Sequence, residues 1–430
     1  MAPKKILLIT SSGGNGLLQA AVAKEQQLKL ENPNVVIFKV DVVKQWLGRL
    51  TGRFGIFFWN YCMKAGHVKS LTFFWSLNKI AGMMYYHKIF YNLLKLLRNE
   101  HMDRVIDTQI LATGCLLKVI RLYNWLHKKD LFLEKVIVDL PTKDCHDFFN
   151  TIKCLSKKDK KRLKILSVPP LLEDCQTNEE FWQKYCRISE NSVRYEPFYI
   201  RQGFYKYQNM PKENNKPIDI AITTKCAKEK ETIINAIKHG HVRYVSTKDG
   251  ISFTIESTNN VITILLGSQP SQKATYKYVK TIMQMTKNST SPFVLFVFCA
   301  HFIDKHDSLF YKIANLINAM STPHKSLTII PMSYQQEDVI ASLFHRSNLT
   351  ITRSAGQTTL ELIMVGRGQH FIHSEAYVSN KDTITQHELL KGMPIWEAGS
   401  ARYLQKEKNS ILVTPLTLES YFEKFMSSCT

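Results

Sequence analysis

No two cysteines in this chain are spaced as CxxC, and the nine it has, at 62, 115, 145, 154, 175, 186, 226, 299 and 429, are odd in number. That argues against a zinc knuckle and against a disulfide framework, and points to a reducing compartment. No uninterrupted apolar stretch approaches the ~18 residues needed to span a bilayer, and Ile6–Ile9 is too short for a signal-peptide core. The expectation is a cytoplasmic protein, soluble or peripheral on a membrane. Acid is scarce too: 36 Asp/Glu stand against 57 Lys/Arg, a formal charge of +21. Residues 1–100 hold 14 Lys/Arg and 4 Asp/Glu, and between 51 and 100 only Glu100 is acidic. Such an excess fits an anionic membrane, an anionic substrate or nucleic acid. For nucleic acid the basic charge is the only support, so no nucleic-acid partner is expected. There is no DxD triplet or His/Cys cluster, and no metal is expected.

What the chain does have is a long alternation of apolar strands and amphipathic helices. With 430 residues, 44% of them apolar, it can bury a full core and divides more readily into two domains than one. Lys4–Thr10 reads as a buried strand, Ser11–Gly16 as a turn in which Gly13, Gly14 and Gly16 allow close backbone approach, and Leu17 onward as a helix. Val35–Asp41, Arg104–Asp107 and Lys135–Asp139 supply further strands. Asp139 and, in the loop after it, His146 are the acid-base candidates of this half, because loops at strand C-termini carry the chemistry of open α/β sheets; satisfied loop polars are the plainer alternative. Residues 45–98 interleave aromatics such as Phe54, Phe57, Trp59 and Phe73 with Lys64, Lys69, Lys88 and Arg98. That is the composition of an interfacial membrane-binding surface, and equally of core helices with solvated lysines. The run Lys157–Arg162 reads as a solvated basic face.

Around Asn209–Lys216 the apolar period is lost, which marks a linker. Three short strands follow, at Ile218–Thr223, Val242–Ser246 and Ile251–Ile255, then strands at Val261–Leu265, Phe293–Cys299 and Leu327–Pro331 separated by helices. Leu349–Glu361 then reads as strand, small-residue turn and helix start. A helix start leaves backbone N–H groups unpartnered and adds partial positive charge, so a phosphate fits there with Arg353 beside it. Gln357, Thr358 and Glu361 share one helix face, with Leu360, Ile363 and Met364 toward the core. The same residues also allow a simpler account, in which Ser354 is an N-cap and Gln357 closes a capping box.

The order of these motifs resembles the inverting GT-B glycosyltransferases of the MurG and monogalactosyldiacylglycerol synthase group. The resemblance is diffuse but covers most of the chain. It rests on Ser11–Gly16, Glu196–Phe204, Leu265–Gln269, Ile330–Met332, Glu397–Ala401 and above all Arg353–Glu361 followed by Val365-Gly366. It implies two doubly wound, Rossmann-like α/β domains facing a cleft. It also implies a UDP-sugar donor with no obligatory cofactor: Glu361 on the ribose, the turn of Arg353, Ser354, Ala355, Gly356, Gln357 and Thr358 on uracil and phosphates, and Arg201 and Ser268 with Gln269 at the pyrophosphate. Gly13 and Gly14 belong to the first-strand loop, and Gln386 matches the sugar-binding glutamine. Asn15 stands where such enzymes carry a histidine, and an amide cannot act as a base near neutral pH. Asp139 is therefore the substitute base and His146 the second choice.

The expectation is an acceptor-binding, membrane-facing domain at 1–205, a linker at 206–216 and a donor domain at 217–415. A C-terminal helix at 416–430 would return to the first domain. The activity expected is transfer of a hexosyl group from a UDP-sugar to a lipid acceptor, with inversion, at an anionic membrane surface reached through residues 45–98. The alternatives are a catalytically inactive GT-B-derived nucleotide-binding protein and an effector glycosyltransferase acting on a protein.

Overall fold

The computed structural model describes residues 3–12, 16–197, 199–211, 217–319, 326–380 and 383–428. The chain opens with β1 (Lys5–Thr10), α1 (Gly16–Glu31) and β2 (Val36–Asp41), and a π-turn at Val42–Trp46 leads into four helices. These are α2 (Arg49–Ala65), α3 (Val68–Ser76), α4 (Asn78–Met84) and α5 (Tyr86–Glu100). Next come β3 (Arg104–Asp107), α6 (Thr113–His127), β4 (Leu133–Val136), α7 (His146–Lys153), α8 (Lys157–Lys160), β5 (Leu163–Ser167), α9 (Asn178–Cys186) and β6 (Val193–Tyr195). All six strands pair in parallel in the order β2-β1-β3-β4-β5-β6. Such strands are covered on both faces, which is why Leu7, Leu8 and Ile9 are all buried rather than alternating.

After α10 (Gln202–Gln208), an antiparallel sheet of β7 (Ile218–Thr223), β8 (Arg243–Ser246) and β9 (Gly250–Ile255) forms around α11 (Ala227–Ile237). The second parallel sheet uses β10 (Asn260–Leu265), β11 (Phe293–Phe298), β12 (Leu327–Met332), β13 (Leu349–Thr352), β14 (Gln369–His373) and β15 (Ile411–Val413), ordered β12-β11-β10-β13-β14-β15. Its helices are α12 (Gln272–Met285), α13 (Leu309–Asn318), α14 (Glu337–Arg346), α15 (Gly356–Val365), α16 (Gln386–Leu390), α17 (Ile395–Lys408) and α18 (Leu418–Ser427). The architecture is two doubly wound α/β domains facing a cleft, as the alternation in the sequence implies.

Several details differ from the sequence reading. The strand expected at Lys135–Asp139 runs instead over Leu133–Val136, in register with β3 and β5, so Asp139 lies past its end in the cleft. α18 does not return to the first domain. Its Leu418, Phe422 and Phe425 are buried in the second core, against α12. The crossing is made by α17, where Trp396 stacks on Trp59 at 5.4 Å between ring centroids and Arg402 donates to Glu173 at 2.8 Å. Leu360, expected in the donor-domain core, packs instead with Leu140, Val168, Leu171 and Tyr403 between the domains, while Ile363 touches both that cluster and the second core. Helical spacing places them on one face of α15 but does not say which domain covers that face. Ile200 and Phe204, ahead of the expected linker, bury in the second core.

Candidate functional site

Each parallel sheet has one place where strand order reverses, between β1 and β3 in the first and between β10 and β13 in the second. Ligands of open α/β sheets bind beyond the strand C-termini at these points. Here the two face each other across one cavity. One wall carries Gly16, Leu17 and Gln19 after β1, Ile110 after β3, and Val138 and Asp139 after β4. The other carries Gly267, Ser268 and Gln269 after β10, and Arg353 through Thr358 except Ser354 after β13, with Glu361 one turn further along α15. About 150 Å³ is left between the walls, below the roughly 300–1,000 Å³ of a usual ligand pocket.

The start of α15 is open. Its N-cap is Ala355, which has no side chain to cap with, and among the described residues the N–H groups of Gly356, Gln357 and Thr358 have no acceptor. The capping-box account does not hold, because the Ser354 hydroxyl is spent elsewhere: it donates to the Glu397 carbonyl at 2.7 Å. Ser354 thus sits behind the cavity wall and supports the turn. Arg353 is buried and donates from Nε to Glu397 Oε2 at 3.0 Å, while its Nη1 has no partner among the described residues. An unpaired guanidinium N–H beside an uncapped helix start is an arrangement chemically suited to receiving an anion.

Glu361 holds the deeper end. Arg201 grips it in a two-pronged ion pair, Nε to Oε1 at 2.6 Å and Nη2 to Oε2 at 2.7 Å, and both side chains are buried. Gln357 donates to Glu361 Oε1 at 3.1 Å and to the Tyr199 carbonyl at 2.8 Å. Burial opposes the Arg201 charge, but Glu361 more than offsets it and holds the guanidinium above its ordinary range. The segment ending at Arg201 is fixed at its other end by Lys24, which pairs with Glu196 at 3.0 Å and lies 3.9 Å over the Tyr199 ring. Arg201 therefore orients Glu361 within the second domain and reaches the first through Gln19, to whose Oε1 its Nη1 donates at 3.3 Å; its resemblance to a pyrophosphate-binding position gives no sign of the Glu361 partner.

Asp139 stands over the start of α15. It keeps part of its surface toward the cavity, yet burial first and the charge of Glu397 second push its carboxyl up to about 7. A group that ionises there can take a proton at neutral pH. Gly356 allows this approach, because a Cβ on it would lie 2.5 Å from the Val138 carbonyl oxygen and 2.9 Å from Asp139 Oδ1. Gly356→Ala is accordingly expected to wedge the walls apart and destabilise the protein by about 1–3 kcal/mol. A thermal melt checks this, and an unchanged melting temperature would contradict the close approach.

Of the residues singled out in the sequence, the cavity gathers Asp139, Arg201, Ser268, Gln269, Arg353, Ala355, Gly356, Gln357, Thr358 and Glu361. Gln386 is not among them: its amide donates to the Leu412 carbonyl at 3.0 Å and its Oε1 accepts from the Leu412 N–H at 2.7 Å, tying α16 to β15. Gly13, Gly14 and Asn15 lie outside the described residues. His146 is the first residue of α7, and its side chain is likewise outside the description. The structure adds Glu397 from α17, Trp59 and Met63 from α2, and Tyr334 and Phe344 beside the Arg201–Glu361 pair. Glu397 was within reach, lying in a matched stretch just after Pro394. The inward turn of Trp59 had no signal, since its aromatic neighbours Phe54 and Phe57 are exposed.

No protein-family model matches the sequence, and no curated protein is detectably similar to it. Among solved structures, Acinetobacter baumannii MurG is similar over 99% of this chain and 91% of its own, with 12% identity and a TM-score of 0.46. Arabidopsis thaliana UGT89C1 complexed with UDP-L-rhamnose is similar over 100% and 96%, with 9% identity and a TM-score of 0.45. An α,α-trehalose 6-phosphate synthase from Burkholderia multivorans is similar over 99% and 91%, with 12% identity and a TM-score of 0.43.

Proposed function

We propose that this protein is a glycosyltransferase that moves a sugar from a UDP-sugar donor to a lipid acceptor, with inversion, at a membrane surface. One observation carries the reading: the open start of α15, with the buried and unpartnered Arg353 Nη1 in the same wall, lies against Asp139, whose carboxyl is pushed up to about 7 by burial and Glu397. Anion site and base share one cavity. In the proposed reaction the acceptor hydroxyl attacks the anomeric carbon from the side opposite the diphosphate, and its proton passes to Asp139 as the new C–O bond forms. The bond from that carbon to the diphosphate breaks, and the departing charge is met by Arg353 and the N–H groups of α15. Glu361, held by Arg201, accepts hydrogen bonds from the ribose hydroxyls with its remaining lone pairs. Ser268 and Gln269 supply further donors to the diphosphate.

The lipid acceptor rests on the helices beside the cavity. α2 turns Trp59 and Met63 inward but leaves Phe54 and Phe57 64% and 68% exposed, and Phe73, Met83 and Met84 continue that apolar surface on α3 and α4. Lys88, Lys95 and Arg98 on the outer face of α5 add positive charge. Among the described residues no helix is long and apolar enough to cross a membrane. An interfacial surface of this kind binds by combining apolar insertion with attraction to anionic lipid. Replacing Phe54, Phe57 and Phe73 with serine is expected to abolish co-sedimentation with phosphatidylcholine–phosphatidylglycerol vesicles while donor hydrolysis in solution persists. Unchanged co-sedimentation would remove the reason for preferring lipid over protein as acceptor. The activity itself is tested by screening UDP-sugars for hydrolysis or transfer. UDP binding without turnover of any donor, lipid present or absent, would favour a nucleotide-binding protein that has lost catalysis.

A further inference from the structure

Arg353 is shared among three demands. Its Nε is fixed on Glu397, its charge also acts on Glu375, and its Nη1 is buried at the cavity wall without a partner among the described residues. Glu375 stays anionic: burial alone would raise it, but His373, Ser271 and Arg353 hold it at about 2. Asp139 lines the opposite wall of the same cavity, and Glu397 is the charge that acts on it. The other charged groups nearby have partners. Arg402 engages Glu173 and Asp144, Lys143 pairs with Glu173 at 3.7 Å, Lys135 pairs with Asp107 at 3.0 Å, and Arg201 pairs with Glu361. From α15, Asp139 lies against the helix start at Gly356, and the charged side chain that α15 brings to the cavity, Glu361, is paired with Arg201.

We propose that Glu397 is a positioning residue that couples charge on the ligand's diphosphate to the proton on Asp139, so that a nucleoside diphosphate binds with proton uptake. This rests on the nucleotide reading of the cavity. While the cavity is empty, Arg353 offsets Glu397. A diphosphate received by Nη1 and the α15 N–H groups draws on the same guanidinium, and the field at Asp139 becomes more negative. One added charge at such range in a partly buried site shifts a proton equilibrium by roughly tenfold. The coupling also favours the reaction itself. As the bond to the diphosphate breaks and negative charge builds there, the acceptor's proton arrives on Asp139, and each change stabilises the other.

The test is calorimetric titration of UDP into the full chain at pH 7, in two buffers of different ionisation enthalpy, which yields the protons exchanged per UDP bound. The wild type is expected to take up roughly 0.3–0.5 proton more than Asp139→Asn. The nucleotide's own phosphate ionisation is common to both and cancels. Glu397→Gln should lose most of that excess, whereas Glu397→Asp, which keeps the charge, should retain it; a purely structural role would make the two variants fail alike. UDP binding with equal proton exchange in wild type and Asp139→Asn overturns the coupling and leaves the nucleotide site standing. Absence of UDP binding to the wild type overturns both. Should Glu397→Gln not fold, the wild-type, Asp139→Asn and Glu397→Asp measurements still decide.

Discussion

Glu361→Ala is expected to abolish measurable UDP binding and to lower the melting temperature by several degrees. The two effects have different origins. Loss of the carboxylate removes the ribose acceptor, and it also strands Arg201, a buried guanidinium held by two short hydrogen bonds to Glu361. Breaking a buried pair from one side costs about 3–5 kcal/mol, because the remaining charge is left uncompensated. Weakened binding in the single variant is therefore ambiguous by itself. The double variant Arg201→Met/Glu361→Leu separates the causes: both charges are gone and the volume is kept, so stability should largely return while UDP binding stays absent. Recovery of UDP binding in the double variant, or full UDP affinity in Glu361→Ala, would exclude Glu361 as a nucleotide ligand and sink the assignment of the site.

Asp139→Asn is expected to cut transfer by about 10²–10⁴-fold, the usual contribution of a positioned base, and to make the protein more stable above neutral pH. The sign follows from the carboxyl's environment. Folded, Asp139 gives up its proton at about 7, and unfolded near the ordinary carboxylate value of about 4, so the folded state holds the proton more tightly in between. Stability therefore falls as pH rises from about 4 to about 7 and stays reduced above that. At about 1.4 kcal/mol per tenfold change in the proton equilibrium, the three tenfold steps between about 4 and about 7 make the full penalty of order 4 kcal/mol. The amide cannot ionise and escapes it. Melting temperatures of wild type and variant should coincide near pH 4, diverge between about pH 4 and about pH 7, and stay apart above that with the variant higher. In the wild type, kcat/KM should rise with pH through about 7. Parallel stability curves would mean that Asp139 ionises normally, and it could then no longer be assigned the proton.

Much of the cavity wall built by the second domain was legible in the chain, because its chemistry is local. An apolar strand, a turn of small residues and a helix start occur together between Leu349 and Glu361, and the open helix start they produce follows from the backbone alone. Asp139 was legible as a polar residue past a strand, although the strand itself ends earlier than its apolar pattern suggested. What the chain did not disclose depends on distant partners. Arg201 meets Glu361 across 160 positions, and Glu397 sets the field at Asp139 from another domain. Gln386 had the right residue type and neighbourhood, yet the structure spends its amide on β15. The amphipathic period of α18 indicated a buried face without indicating that the second core would claim it. Periodicity tells which side of a helix is covered, and only the assembled fold tells by what.

The stack of Trp59 on Trp396 joins helices of the two domains at the wall of the narrow cavity between them. Any parting of the domains at this wall must separate those indoles. The protein thus carries its own optical gauge of gating: intrinsic tryptophan emission should change when the cleft opens and recover when it closes over a ligand. The rate of cleft movement can then be followed by stopped-flow fluorescence on the unlabelled chain, independently of whether any sugar is transferred.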